Sequence, residues 1–246
     1  MDDPEPMVRV QAAIALGRIG KEAAIPALVG RGLKDPSVRV RGMSVVALGN
    51  LKREEGLKPI ARLLADPEAR DESAAVRLVA VRVLDPFLNA TASKALLAAL
   101  GDPDDKVRDA ATKAIKSRLT AKPELFLPAL AKVVAKDTGP SRVGALQCIV
   151  EDYRSSLADA KRKALYDKLL ADADSPLAAA LLETLEDKKA DGKTRTLAAG
   201  FLIDLAWRRE PKGKAILTRV AALTRDIEPG VRAAARRAKN YLNNLR

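Results

Sequence analysis

Residues 3–20 read DPEPMVRVQAAIALGRIG, and residues 35–52 repeat the same motif as DPSVRVRGMSVVALGNLK. In both stretches an aspartate is followed, after four residues, by Val-Arg and then by small or branched apolar residues at helical spacing. The motif has five clear copies: Asp3 with Val8-Arg9, Asp35 with Val40-Arg41, Asp71 with Val76-Arg77, Asp102 with Val107-Arg108, and Asp226 with Val231-Arg232. The distance between the first four copies fits two helices and two short turns. Each copy therefore predicts a helical hairpin.

Eroded copies of the motif fill part of the remaining chain. They are Asp137 with Arg142-Val143, Asp172 with Leu177-Ala178, and Thr194-Arg195. The pattern predicts a single solenoid over 1–246, with clear repeats at 3–136, divergent repeats at 137–225 and a terminal helix at 226–246.

The residue types in the motif have a physical reading. The Asp carboxylate can accept from free N–H groups at a helix start, and Pro fits the first helical turn because it has no N–H. The apolar members of the first copy form one helical stripe, Val8, Ala12, Ala15, Leu16 and Ile19. The second copy repeats these offsets with Val40, Ser44, Ala47, Leu48 and Leu51, of which the small Ser44 is the one polar member. Gly17, Gly20 and Gly49 are predicted to close helix ends.

This pattern resembles the HEAT repeat, in particular the bacterial type that is like phycobilin-lyase repeats. The resemblance is strong over 3–136, weakens over 137–225 and returns at the last copy. It implies an α-solenoid, a right-handed superhelix of stacked antiparallel helix pairs, whose concave surface binds proteins or, less often, nucleic acid. The fixed Asp-to-Arg spacing also predicts a structural ladder between repeats: Asp3, Arg9, Asp35, Arg41, Asp71, Arg77, Asp102, Arg108, Asp226 and Arg232.

Composition excludes several classes of chemistry. The chain has no histidine and one cysteine, so it cannot build a zinc cluster or a Ser-His or Cys-His catalytic pair. Cys148 lies in an apolar helical stretch and is predicted to be a buried small hydrophobe. We expect no cofactor and no metal. The acidic N-terminus and short apolar runs predict a cytoplasmic protein without a membrane span. Because no polar capping unit precedes the first motif, the chain is typical of a fragment of a longer array.

Positive charge is concentrated at the C-terminal end of a chain whose net charge is +12. The candidate binding residues are Arg208, Arg209, Lys212, Lys214, Arg232, Arg236, Arg237 and Lys239. They can reach a phosphate or an acidic partner, or they can simply keep a repeat end soluble. Val231, Ala234, Ala235, Ala238, Leu242 and Leu245 form the predicted buried stripe of the last helix. Trp207 and Tyr241 are the stacking aromatics near this patch.

The leading functional hypothesis is a non-catalytic scaffold that binds a segment of a partner protein on a surface formed mainly by second helices. The alternative is a nucleic-acid-binding solenoid that uses the basic end. A base-excision enzyme, with Asp204 beside Trp207, or a chromophore lyase comes a distant third. Gly192-Lys193-Thr194 ends like a phosphate loop, but Asp187 stands where that loop needs glycine, so we interpret it as a polar turn.

Overall fold

The computed structural model of the chain describes residues 1–137, 139–156, 159–160, 164–166, 176–207 and 213–244, and every regular element in them is helical. The second helix, α2, is composite, with a 3₁₀ turn (Glu22–Ala24), an α-helical turn (Ile25–Ala27) and a π-helical turn (Leu28–Gly32). The other helices are α1 (Pro6–Ile19), α3 (Val38–Asn50), α4 (Glu54–Ala65), α5 (Ala74–Leu84), α6 (Ala90–Ala99), α7 (Asp105–Ala121), α8 (Pro123–Lys136), α9 (Pro140–Ser156), α10 (Pro176–Glu186), α11 (Gly192–Trp207), α12 (Lys214–Ala221) and α13 (Pro229–Asn244). The predicted all-α class is confirmed for the described residues.

The chain forms two compact units, Met1–Arg118 and Leu119–Arg246, and the boundary falls inside α7. In the first unit, the first helices of successive hairpins lie side by side, because α1 packs on α3 and α3 packs on α5. The second helices do the same where α4 packs on α6. This unit therefore has two helical layers.

The second unit contains several helix contacts and a small aromatic cluster. Helix α8 contacts α9 and α10, and α11 contacts α9, α10, α12 and α13. Tyr153 meets both Tyr166 and Phe201 edge to face, with ring centroids 5.2 Å apart in each pair. The Tyr166 hydroxyl bonds to the Ile149 carbonyl at 3.1 Å and to Asp152 at 2.9 Å. Cys148 is buried, as predicted.

The motif aspartates shape the loop ahead of each first helix. Oδ1 of Asp35 accepts the N–H of Ser37 at 2.9 Å, and Oδ1 of Asp71 accepts that of Ser73 at 2.8 Å. Ser37 and Ser73 are the N-cap residues. The prediction that the Asp carboxylate binds the free N–H groups of the first helical turn is therefore wrong, because the carboxylate binds the N–H of the N-cap residue just before that turn. The carboxylate instead closes an Asx turn, which sets the angle at which the chain enters the helix.

Two of the three glycines that were predicted to close helix ends have another role. Gly20 is the C-cap of α1 in the left-handed conformation, with φ of 70°, as predicted. Gly17 and Gly49 lie inside α1 and α3. A Cβ on Gly17 would lie 2.8 Å from Cα of Ala47, so this glycine lets α1 approach the backbone of α3 closely.

The predicted apolar stripes are buried in the second hairpin but not in the first. All five stripe positions of α3 are buried, from Val40 to Leu51. In α1, Val8 is 47% exposed and Ile19 is 61% exposed, because α3 covers the side of α1 that carries Ala13 and Gly17. Among the described residues nothing covers the opposite side.

Candidate functional site

Arginines of the repeat motif lie on aspartates of the following hairpin. Nε of Arg9 donates to Oδ2 of Asp35 at 2.7 Å, and Nη2 donates to Oδ1 of the same carboxylate at 2.9 Å. Arg41 contacts Asp71 in the same way at 2.7 and 3.0 Å, and Arg77 contacts Asp102 at 2.8 and 2.9 Å. Both partners are buried in each of these pairs. Bidentate contacts of this kind fix both the distance and the orientation of the two groups.

Each of these arginines also binds the loop of its own hairpin. Nη1 of Arg9 donates to the carbonyls of Asp3 and Pro4, at 2.7 and 3.0 Å. Arg41 and Arg77 repeat this contact with the equivalent carbonyls of their own loops. One guanidinium therefore joins two consecutive loops.

The remaining predicted ladder residues have different partners. Arg108 donates to the carbonyls of Asp102 and Pro103 and forms an ion pair with Asp105. Arg232 donates to the carbonyls of Asp226 and Ile227. The carboxylate of Asp226 is bound by Arg195, which belongs to the eroded copy at Thr194-Arg195.

Ionisation of the paired aspartates reflects these contacts. The hydrogen bond from Arg9 lowers the pKa of Asp35, and that from Arg195 lowers the pKa of Asp226. Burial alone would raise the pKa of Asp102, but hydrogen bonds from Arg77, from the N–H of Asp104 and from Arg70 outweigh it and lower the pKa. These carboxylates are charged and their arginines are occupied, so the pairs have the contacts that the predicted ladder requires.

Two further arginines of the first unit lie outside the motif and were missed by sequence reasoning. Arg70 donates to Asp102 at 2.7 Å, which gives that carboxylate a second arginine. Arg118 is buried and donates to the carbonyl of Leu84 at 2.6 Å and to that of Asp85. It thus satisfies carbonyls at the end of α5, and burial lowers its pKa.

A groove of about 430 Å³ lies between α5 and α7 in the first unit. Its floor is apolar, with Leu78 and Val81 from α5 and Ala110 and Ala114 from α7. Its charged walls are formed by Arg82, Asp85, Lys106, Asp109 and Lys113. We call this site the α5–α7 groove.

The groove lies where the close helix contact of the earlier hairpins is absent. Gly17 and Gly49 occupy equivalent repeat positions, and a Cβ on Gly49 would lie 2.2 Å from a methyl group of Val83. The equivalent position in α5 is Asp85, which is exposed and pairs with Arg118 at 3.6 Å. Because a carboxylate needs room that glycine does not, the sequence change accounts for the gap between α5 and α7.

The candidate basic end is described in part. Arg208, Arg209 and Lys212 lie outside the described residues, as do the side chain of Trp207 and residue Leu245. In α13 the predicted stripe residues Val231, Ala234, Ala235 and Ala238 are buried. Lys214, Arg236, Arg237 and Lys239 are exposed, whereas Arg232 is bound to its own loop.

The candidate catalytic and phosphate-binding residues are bound by other groups of the chain. Asp204 forms an ion pair with Arg154 at 3.9 Å. Gly192-Lys193-Thr194 forms the first turn of α11, so the interpretation as a polar turn was wrong. Oxygens of Asp191 accept the N–H and hydroxyl of Thr194, which fills the place a phosphate would need. Within the described residues no group of three His, Cys, Asp or Glu side chains could hold a metal ion.

Comparison with known families identifies the repeat. A family profile described as HEAT repeats matches residues 1–71 and 67–149, which is more than half of the chain. The chain belongs to the HEAT-repeat family. The HEAT match ends inside α9, in the region where the sequence motif becomes divergent. The α-solenoid class predicted from the resemblance agrees with this family and with the helix pairs of each unit.

No curated protein matches the chain. None of the described helices is long and apolar enough to cross a membrane.

Proposed function

We propose that the chain is a non-catalytic scaffold that binds a segment of a partner protein. The observation that carries this proposal is the α5–α7 groove, whose apolar floor includes the half-buried Leu78 and Ala110 and lies between charged walls. HEAT repeats are commonly protein-interaction scaffolds, and stacked helix pairs expose long grooves of this kind. A groove with an apolar floor suits an anchoring side chain of a peptide.

The charges around the groove indicate the chemistry of the bound segment. Asp85 is engaged by Arg118, and among the described residues no ion pair engages Arg82, Lys106 or Lys113. The walls therefore offer three cations and one open carboxylate, Asp109. An acidic segment with one apolar anchor residue complements this arrangement.

The second helices form another candidate surface for the partner segment, because the sequence predicts that they make up most of the binding surface. In the first unit they expose Lys58 on α4 and Lys94 on α6. The same helices bury Ile60 and Ala95. A direct comparison of the two surfaces is therefore part of the test.

The experiment selects peptides from a random 12-residue library displayed on phage, with the full chain as the target. We expect selected peptides to combine Asp or Glu with one large apolar residue. Affinities are then measured by fluorescence anisotropy against the chain and against the double variant Lys106→Glu, Lys113→Glu. Loss of two exposed cations at the groove should weaken binding about ten-fold or more.

The matched control is the double variant Lys58→Glu, Lys94→Glu, which makes the same change of charge on the second helices. Unchanged affinity in this control, together with loss in the groove variant, supports the proposal. Equal loss in both variants would show that net charge, and not the groove, determines binding. Loss in the control alone would move the binding surface to the second helices.

A second candidate function is nucleic-acid binding by the C-terminal helix. It is supported by Arg236, Arg237 and Lys239, which are exposed on α13 and have no ion-pair partner among the described residues. Cations free of carboxylate partners can neutralise phosphates. Tyr241 is half-buried beside them, which leaves the patch with little aromatic surface for base stacking.

A further inference from the structure

The side of α1 that faces away from α3 is apolar and open. Met7, Val8, Ala15 and Ile19 are exposed there, and we call them the outer face of α1. At the equivalent positions of α3, which has α1 packed beside it, Val40 is 0% exposed and Leu51 is 7% exposed. The outer face thus has the composition of a helix contact without a described helix on it.

The carboxylate of Asp3, at the edge of this face, also lacks, within the described part of the chain, the partner that the equivalent aspartates have. Its Oδ1 accepts the N–H of Glu5 at 2.8 Å, which is the Asx turn seen at Asp35 and Asp71. Asp35 and Asp71 also receive a bidentate arginine from the preceding hairpin. Among the described residues no arginine side chain reaches the Asp3 carboxylate, so Asp3 has the geometry of a ladder acceptor with an open donor position.

The first unit contains two examples of a helix whose side chains would fit the outer face of α1 and Asp3. Helix α1 docks on α3 with Arg9, Ala13 and Gly17 spaced four residues apart, and α3 docks on α5 with Arg41, Val45 and Gly49 at the same spacing. The arginine binds the aspartate, the small residue packs in the contact, and the glycine permits close approach of the helix backbones.

A second copy of the chain does not supply this pattern at its other end. The last helix, α13, has Arg232 at the arginine position, followed at the same spacing by Arg236 and Asn240, both exposed. Two additional polar side chains would replace the small residue and the glycine, and they would face the apolar Val8 and Ile19. Burying an unpaired guanidinium against apolar groups is unfavourable.

We propose that the outer face of α1 and Asp3 bind an amphipathic helix of a partner protein in which arginine, a small apolar residue and glycine follow one another at four-residue spacing. The arginine forms a bidentate pair with Asp3, and the small residue and glycine pack on Val8, Ala15 and Ile19. This surface is separate from the α5–α7 groove, so either proposal can fail without the other.

The probe is a hydrocarbon-stapled peptide with the sequence of residues 37–51 of this chain, which carries Arg41, Val45 and Gly49 and is stapled on its opposite side. It is titrated to millimolar concentration into the isotopically labelled full chain, and amide chemical shifts are followed by NMR. One helix buries less area than a standard interface, so we expect weak, saturable binding. The shifted amides should lie around Asp3, Val8 and Ile19.

A charge exchange distinguishes recognition from a structural effect. Asp3→Arg should weaken binding of the peptide about ten-fold, since a charge-assisted bidentate pair is replaced by repulsion. A peptide carrying Arg41→Glu should bind poorly to the natural chain and regain affinity for the Asp3→Arg variant. Ile19→Glu should also weaken binding, whereas Ile227→Glu, at another exposed isoleucine, should not.

Three results would overturn the proposal. The first is the absence of saturable shifts at millimolar peptide. The second is binding that neither Asp3→Arg nor Ile19→Glu changes, or that the charge exchange does not restore. The third is self-association of the chain, seen by analytical ultracentrifugation and abolished by Ile19→Glu, which would assign the outer face to a second copy.

Discussion

The motif aspartate combines two tasks in one carboxylate. Oδ1 of Asp102 holds the N–H of Asp104 at 2.9 Å, and the two oxygens together receive Arg77. The loop turn fixes the carboxylate, and the fixed carboxylate orients the guanidinium of the preceding hairpin. Lysine could not make this contact, because its ammonium is a point charge without the planar pair of donors.

Replacing Asp102 with Asn should therefore destabilise the chain strongly. The Asp102 side chain is fully buried and binds two arginines, Arg70 and Arg77. Breaking one partner out of a buried ion pair leaves an uncompensated charge, which costs about 3 kcal/mol. The free energy of unfolding, measured by urea denaturation at pH 7 with circular dichroism, should fall by about that amount.

The effect of the Asp102→Asn substitution on stability should also depend on pH. Because the folded pKa of Asp102 is lowered, its ionised form is stabilised by folding. This contribution is complete above the unfolded pKa of about 3.9 and is lost as the pH falls through the folded pKa. The stability difference between the natural chain and Asp102→Asn should shrink below that pH. The exposed Glu55→Gln should show no comparable difference, and a difference for Asp102→Asn that is constant with pH would contradict the mechanism.

Sequence spacing predicts the contacts of three complete motifs, whereas Arg108, in a fourth complete motif, forms its ion pair with Asp105 of its own hairpin. The aspartate-to-arginine spacing brings Arg9, Arg41 and Arg77 to the places where the structure has them. Arg70 and Arg118 have no repeat spacing, and their contacts depend on how neighbouring hairpins fold. Arg195 binds Asp226 although its own hairpin has lost the aspartate six residues earlier, and the predicted ladder did not include Arg195.

At the scale of whole helices, glycine determines how closely neighbouring first helices approach. A Cβ on Gly17 would collide with the backbone of Ala47, whereas a Cβ on Gly42, in the middle of α3, meets nothing within 4 Å. The two glycines therefore differ in function although both lie in helices. Their substitution by alanine separates helix propensity from helix contact.

Gly17→Ala should destabilise the chain by about 1–3 kcal/mol, because overpacking against backbone cannot be relieved by a side-chain rotation. Gly42→Ala should stabilise it by up to about 1 kcal/mol, since alanine is the better helix former and the site is open. Urea denaturation of both variants against the natural chain gives the comparison. Equal effects of the same sign would show that the contact between α1 and α3 tolerates a methyl group.

Helix boundaries follow from the sequence better than helix surroundings do. The Asp-Pro positions and the apolar stripes locate the hairpins of the first unit. The exposure of Val8 and Ile19 could not be predicted, because burial depends on the neighbour and not on the stripe. The α5–α7 groove was missed for a similar reason, as its origin is the change from glycine to Asp85, which has meaning only once α5 and α7 are seen side by side.

Over the whole molecule, the cationic side chains differ in whether the protein itself already binds them. The motif arginines contribute to the net charge of +12, yet they are engaged by carboxylates or loop carbonyls. The exposed cations of α13 are not engaged in this way among the described residues. Net charge therefore overstates the number of groups that an anionic partner can reach.

The nucleic-acid candidate can be tested by counting those groups. If α13 binds phosphates, the logarithm of the binding constant for fluorescent duplex DNA should fall linearly with the logarithm of salt concentration. Replacing Arg236, Arg237 and Lys239 with Ser should then flatten the slope by about three units, one for each lost phosphate contact. Arg232 is left unchanged, because its bonds to two loop carbonyls give it a structural role. Single-stranded DNA and RNA are titrated in the same way.

The matched control replaces Arg39, Lys58 and Lys94 with Ser, which removes the same charge from exposed sites of the first unit. A site on α13 requires that this control keep the natural slope, because the slope counts only the cations that contact phosphates. If both triple variants flatten the slope equally, the DNA responds to the total charge of the chain. If neither variant changes a weak, shallow binding curve, the cations of α13 act as a solvated helix surface, and the two surfaces proposed for protein binding in the first unit remain as the candidates.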